Sequence, residues 1–215
     1  MEDRTKYIGG SDVGAILGVN PWRTALDVFY EKTGLREIEN IDNEYMYWGR
    51  KIEPLIVEKF REFICEKLNK GTIYTESNVP IRSHSEYSFL SAHIDCLGCF
   101  EKEEPFILEC KTANHFIKNQ WGEEGTDEIP ISYKLQVAHY CNIYDLTIAY
   151  IAVLFGGNDF KVYEYHQDKK FEKEIEGKLV DFWENNVLKQ EPPMPISVDE
   201  AKKLYISAMQ DSTIV

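Results

Sequence analysis

Pro105-Phe106-Ile107-Leu108-Glu109-Cys110-Lys111-Thr112 is an apolar run that turns to charge at its end. Its aromatic and branched residues predict a strand. Successive side chains of a strand point to opposite faces, so Glu109 and Lys111 share one face and Leu108 and Cys110 the other. A carboxylate and an amine next to a buried run are costly unless they are paired or bind something. The two are therefore either a structural ion pair on a solvated strand face or part of a site.

Asp95 stands fourteen residues upstream, near a strand end in His93-Ile94-Asp95-Cys96. A hairpin-like link would bring Asp95 and Glu109 to one end of a sheet. Two carboxylates so placed suit Mg²⁺, a hard cation that prefers oxygen ligands. Such a metal polarises a phosphate and lowers the pKa of a bound water. Lys111 would orient that water or offset negative charge in the transition state. The carbonyl of Cys110, between the two functional side chains, is a natural extra oxygen ligand.

Outward from this strand the period changes. Residues 72–81 and 87–98 read as two further strands of the same sheet. Residues 114–130 read as a loop with one helical turn, and 131–144 as a helix. Residues 146–157 and 160–166 form a hairpin around Gly156-Gly157-Asn158. Toward the N-terminus, residues 1–10 form an extended entry. Ser11-Asp12 caps a short helix that Gly18 ends, and Thr24 caps a second that Gly34 ends. From 43 to 70 apolar residues recur at helical spacing; Pro54 starts or kinks that helix and Gly71 ends it. Phe171 to Lys189 and Val198 to Met209 read as amphipathic helices separated by Pro192-Pro193. This order predicts one α/β domain over residues 1–215, a mixed central sheet flanked by helices. Short turns between successive strands exclude a purely parallel sheet.

Three more places carry candidate chemistry. Glu53, in Trp48-Gly49-Arg50-Lys51-Ile52-Glu53-Pro54, is either a helix-start charge or a third carboxylate reaching the metal. Gln136 and Tyr140 are four apart on one helix face, suited to a phosphate and a nucleic-acid backbone, or to an ordinary helix surface. Ile8-Gly9-Gly10-Ser11-Asp12 offers backbone N–H groups to an anion, with Arg4 as a bidentate phosphate contact, or simple capping by Ser11.

The net charge of −13 argues against tight nonspecific nucleic-acid binding. It does not exclude a groove whose metals carry the positive charge. No run of 18 apolar residues predicts a membrane span, and the polar start lacks a secretion signal. Five cysteines, an odd number, read as reduced thiols of a cytosolic protein. Cys96 and Cys99 have no second pair at metal-site spacing. The four tryptophans read as core or loop packing, with a wedge or DNA contact as the alternative for Trp121 in the Gly-flanked loop after Lys111.

Arg4 with Ser11 in Gly-Gly-Ser-Asp, the segment ending Ile52-Glu53-Pro54, Ile94-Asp95, Glu109-Cys110-Lys111 and Gln136 with Tyr140 follow one order. Together they resemble the YqaJ/lambda-exonuclease group of phage-type exonucleases, within the PD-(D/E)xK nuclease superfamily. The resemblance runs from Arg4 to about Tyr140. It implies a restriction-endonuclease-like core with Glu53, Asp95, Glu109 and the Cys110 carbonyl as metal ligands, and Lys111 as catalytic lysine. It implies Mg²⁺, with Mn²⁺ as substitute. It places Arg4, Ser11 and Gln136 at the 5′-phosphate of a double-stranded DNA end. The implied activity is 5′→3′ resection that feeds a single-strand annealing protein, in a ring-shaped homotrimer. The setting would be the cytoplasm of a bacterial host, with a phage or prophage gene. One departure stands out: His93 occupies a position where such proteins often carry a small residue, so it either contacts phosphate itself or marks a different end pocket.

Overall fold

A computed structural model describes residues 3–36, 43–67, 73–101 and 104–197. The helices are α1 (Gly10–Ile16), α2 (Ala25–Thr33), α3 (Glu44–Lys67), α4 (Ile131–Tyr144) and α5 (Lys169–Phe182). The strands are β1 (Ile73–Ser77), β2 (Arg82–Ser83), β3 (Ser91–Ala92), β4 (Cys96–Phe100), β5 (Pro105–Ala113), β6 (Ile148–Phe155) and β7 (Asp159–His166). Five strands form one mixed sheet in the order β1-β4-β5-β6-β7. Only β5 and β6 are parallel, and α4 is the crossover that parallel pairing demands. The helix expected at 198–209 and the stop signal at Gly71 lie outside the described residues.

The period-two pattern sorts the sheet into two faces. Phe106, Leu108, Tyr150, Ala152 and Val162 pack under α3, against Ile56, Phe60 and Ile64. Ile107, Ile151, Val153, Tyr163 and Tyr165 pack on the other face, against α1, α2, α4 and α5. Glu109 and Lys111, in step with Ile107, therefore rise on the α4 face, as the strand period requires. No helix among the described residues is long and apolar enough to cross a membrane.

Local signals held in several places. Thr24 and Asp27 form a reciprocal capping box, and Gly34 ends α2 in the left-handed region at φ 66°. The β6–β7 turn places Gly156 and Gly157 at φ 58° and 83°, the left-handed pair that suits strand twist. The helical turn after β5 is a 3₁₀ segment, His115–Gln120.

Four expectations change. The run 87–98 is not one strand: β3 pairs with β2 in a separate two-stranded sheet, and the chain bends at His93-Ile94-Asp95 before β4. The run 72–81 stops at Ser77, because Asn78 takes φ 61°. Helix α3 begins at Glu44 and runs through Pro54, so Glu53 is well inside it and is no helix-start charge. Ser11 does not cap α1; Gly9 is the N-cap, and its N–H is taken by Asp12 at 3.0 Å.

The entry segment is tied down rather than loose. Ile8 exchanges backbone bonds with Phe89 and Ser91, at 2.7 and 2.9 Å. His139 of α4 reaches the carbonyl of Ser91 at 3.1 Å, and burial pushes its pKa down to about 4. These contacts set the start of α1, the bend before β4 and α4 around one end of β5.

Candidate active site

Pairing of β4 with β5 begins at Cys96 opposite Leu108. Cys110 therefore lies beyond the end of that ladder, and its N–H goes to a side chain instead. Asp95, just before β4, accepts it through Oδ2 at 2.8 Å. The bend that interrupts the strand thus turns Asp95 back onto β5, beside Glu109.

Glu109 is 3% exposed. Its Oε1 accepts from Lys111 Nζ at 2.7 Å and from Gln136 Nε2 at 2.7 Å. Gln136 Oε1 accepts from Lys111 at 3.0 Å, and its Nε2 also donates to Tyr140 Oη at 2.9 Å. The amide orientation is forced: reversed, it would set oxygen against carboxylate and NH₂ against ammonium. Lys111 also lies 4.9 Å from the centre of the Tyr133 ring. Lysine and carboxylate are thus clamped by one helix face of α4.

One polar atom is left over. Glu109 Oε2 is buried and has no hydrogen-bond partner. Burial, then Asp95, pushes the Glu109 carboxyl up to about 7. Glu53, half-buried on α3, is pushed up to about 7 by burial and then by Asp95. Asp95 is raised by its burial, against the pull of Lys111, the Cys110 N–H and His93. Burial alone would lower the Lys111 amine, but Glu109 and Asp95 outweigh it and hold the lysine charged. Three carboxylates feel one another's charge around a single ammonium. Among the described residues no three His, Cys, Asp or Glu side chains already converge into a closed metal cage. The donor set still suits a hard cation: carboxylate oxygens short of positive charge, one of them orphaned.

The other expected residues fall around this cluster. Arg4 donates to Ser11 Oγ at 3.0 Å, so the two expected end-binding groups are joined. Ser11, Lys111 and Gln136 line one cleft of about 410 Å³, with Asn20, Trp22 and Tyr133. His93 is exposed, next to Asp95 in the bend. Tyr140 is 4% exposed and its hydroxyl is occupied by Gln136, so direct contact with nucleic acid gives way to a positioning place behind the site. Trp121 is 6% exposed, packed among Tyr133, Phe155 and Tyr163, and is no wedge. Trp22 is 92% exposed on the cleft rim, where packing was expected.

Asp12, read from the sequence only as a helix cap, is also the centre of an ion-pair network. It is fully buried and paired with Lys32 at 2.8 Å and Arg23 at 2.5 Å, with Arg4 at 3.8 Å. Lys32 Nζ also donates to the Arg4 carbonyl at 2.8 Å. This network fixes the backbone from which Arg4 and Ser11 reach the cleft. The sequence shows only a carboxylate at a helix start, and its partners Arg4, Arg23 and Lys32 meet it through the fold.

The chain is 34% identical over 193 residues to the uncharacterized protein YqaJ of Bacillus subtilis (strain 168), covering 89% of this chain and 56% of that protein. The chain thus spans little more than half the length of that relative. The fold matches an alkaline exonuclease, LHK-Exo, from Laribacter hongkongensis at TM-score 0.62 and 16% identity, over 94% of this chain and 96% of that one. It also matches a phage related exonuclease from Haemophilus somnus 129PT at TM-score 0.58 and 12% identity, over 86% of this chain and 96% of that one. These likenesses establish that the chain shares the fold of those two proteins. The model of the YqaJ-like viral recombinase domain matches residues 1–146, and the chain belongs to that family.

Proposed function

We propose that this chain is a metal-dependent deoxyribonuclease that resects linear double-stranded DNA from its 5′ ends. The observation that carries the reading is the orphaned Glu109 Oε2, buried among Asp95 and Glu53 with Lys111 at its other oxygen. Glu53, Asp95, Glu109 and the Cys110 carbonyl would hold Mg²⁺ or Mn²⁺. When bound, such a metal polarises the scissile phosphate and makes its water more acidic. The chain's own residues supply the rest. Asp95 and Glu109 hold the acidic rim in place through the Cys110 N–H and the Gln136 amide. Lys111, kept charged, offsets the negative charge that grows on the phosphate during in-line attack. Gln136 holds that ammonium on the cleft side.

End specificity rests on the joined pair Arg4 and Ser11, of which Ser11 lines the same cleft. A terminal phosphate there would receive charge-assisted bonds from Arg4. The product would be a 3′ overhang, the substrate of a single-strand annealing partner. Membership of a viral recombinase family and a fold shared with exonucleases support a nuclease that acts on DNA in recombination. A closed ring of three copies would let an acidic protein enclose its duplex.

Purified protein with Mg²⁺ should degrade linear duplex and spare closed circular duplex. Strand-specific end labels should be lost from 5′ ends first, and EDTA should abolish the loss. Cleavage of circles would indicate an endonuclease instead. Wild type and Lys111→Ala equally inert on every DNA form, with each divalent metal, would defeat the nuclease reading.

A further inference from the structure

Trp22 is the most exposed large apolar residue among those described, at 92%. Its backbone is held firmly. Asn20 Oδ1 accepts from the N–H groups of Trp22 and Arg23, at 2.9 and 3.2 Å. The Gly14 carbonyl accepts from Val19 and Asn20. Arg23 is anchored to Asp12 and Glu31. The bracket is rigid while the indole it carries is bare, on the rim of the cleft that holds Ser11, Lys111 and Gln136.

A flat apolar ring beside a cleft of about 410 Å³, with Ser11, Lys111 and Gln136 in its lining, matches the face of a nucleobase, and such stacking tolerates any sequence. Inside a duplex both faces of each base are covered, so only an end or an unpaired base offers a free face. The net charge of −13 also leaves this chain little nonspecific attraction for phosphates, which makes a non-ionic contact more valuable. We infer that Trp22 stacks on the terminal base of the DNA end, at the rim of the cleft that carries Ser11, Lys111 and Gln136. The inference rests on the nuclease reading and adds a residue that selects ends.

The test uses the full chain, Ca²⁺ in place of Mg²⁺ to suppress cleavage, and duplexes with 2-aminopurine at the 5′-terminal or a central position. Terminal 2-aminopurine fluorescence should change on binding to wild type, and central 2-aminopurine should not. Trp22→Ala should abolish the terminal signal and weaken binding by roughly 5- to 150-fold. Trp22→Phe should restore most of both, and thermal stability should be the same in all three proteins. Unchanged affinity and terminal signal in Trp22→Ala overturn the inference while leaving the nuclease reading intact. A changed oligomeric state with unchanged DNA affinity overturns it too, marking the ring as a protein interface. Wild type that neither binds nor cleaves DNA ends removes the nuclease reading, and the inference with it.

Discussion

Asp12 and Glu109 are both buried carboxylates near the start of α1 and the face of α4, yet they are treated in opposite ways. Asp12 and Glu31 share three cations, Arg4, Arg23 and Lys32. Burial favours the neutral form of Asp12, but Lys32 and Arg23 overcome it and hold the carboxyl below its ordinary value. Glu53, Asp95 and Glu109 share Lys111, and all three are raised. A buried charge that is fully partnered belongs to the scaffold. A buried cluster left short of positive charge is a site waiting for something, and perturbed titration in a cleft points to function on the same grounds. Substitutions should therefore separate activity from stability in opposite directions at the two clusters.

The largest expected effect is on activity. Lys111→Ala and Glu109→Gln should each lower single-turnover cleavage of linear duplex by about 100- to 1,000-fold, the scale of removing one transition-state contact. Glu109→Gln should keep or raise the metal-free melting temperature at pH 8, because it removes a charge that burial disfavours. A melting temperature lowered as far as activity would erase the distinction between the clusters.

The next effect is on stability. Asp12→Ala leaves Lys32, whose side chain is fully buried, without its main counter-charge. Breaking such a pair from one side costs about 3–5 kcal/mol. In a domain of this size that is a fall of roughly 6–20 °C in melting temperature. Calorimetry on the variant would check it. A shift within about 1 °C would mean that the network is ornamental.

The pH dependence follows from the same contrast. Glu109 titrates at about 7 in the folded chain and at its ordinary 4.5 when unfolded. Between those values the unfolded chain loses its proton first, so stability is greatest below 4.5 and declines as pH rises toward 7. For this fully buried group the loss is on the order of 2–3 kcal/mol. Asp12 has the opposite sign, contributing above its ordinary value and failing only in acid. Melts in EDTA should thus fall from pH 5 to pH 8 in wild type and fall less steeply in Glu109→Gln, where Glu53 and Asp95 still carry the same sign. Adding Mg²⁺ at pH 8 should recover the difference, since the metal selects the ionised carboxylates.

What the sequence made legible is what depends on local period and local chemistry. The shared face of Glu109 and Lys111 follows from strand alternation, and the glycine turn at 156–157 follows from backbone freedom. The bend at Asp95 was not legible, because both halves of the run 87–98 suit a strand and only the register against β5 separates them. Of the two readings of Glu53, the helix-start charge rests on the preference of proline for that position, but tertiary packing of α3 on the sheet outweighs one missing N–H. The tryptophans exchanged roles, since burial of Trp121 and exposure of Trp22 depend on partners distant in sequence. Gly10 read as an anion-binding turn, whereas a Cβ there would stand 2.4 Å from the Tyr140 ring. Its bareness is a packing requirement that only the α1–α4 contact reveals.

Tyr140 gives the smallest expected effect and the finest test of the contrast. It touches neither cleft nor carboxylate, yet its hydroxyl receives the second N–H of the Gln136 amide, whose first goes to Glu109. Tyr140→Phe leaves that buried N–H without a partner, a cost of about 1–3 kcal/mol that a small rotation of Gln136 can partly recover. The rotation would loosen Lys111, since Gln136 Oε1 holds it. Catalysis at saturating DNA should therefore fall by roughly 3- to 10-fold, at the lower end of what such a loss allows. Affinity for DNA ends should stay unchanged, because Arg4, Ser11 and the cleft rim are untouched. Single-turnover kinetics beside end-binding anisotropy would resolve the two. A loss of affinity with intact turnover would instead place Tyr140 against the DNA and open the clamp on Lys111 to a different explanation.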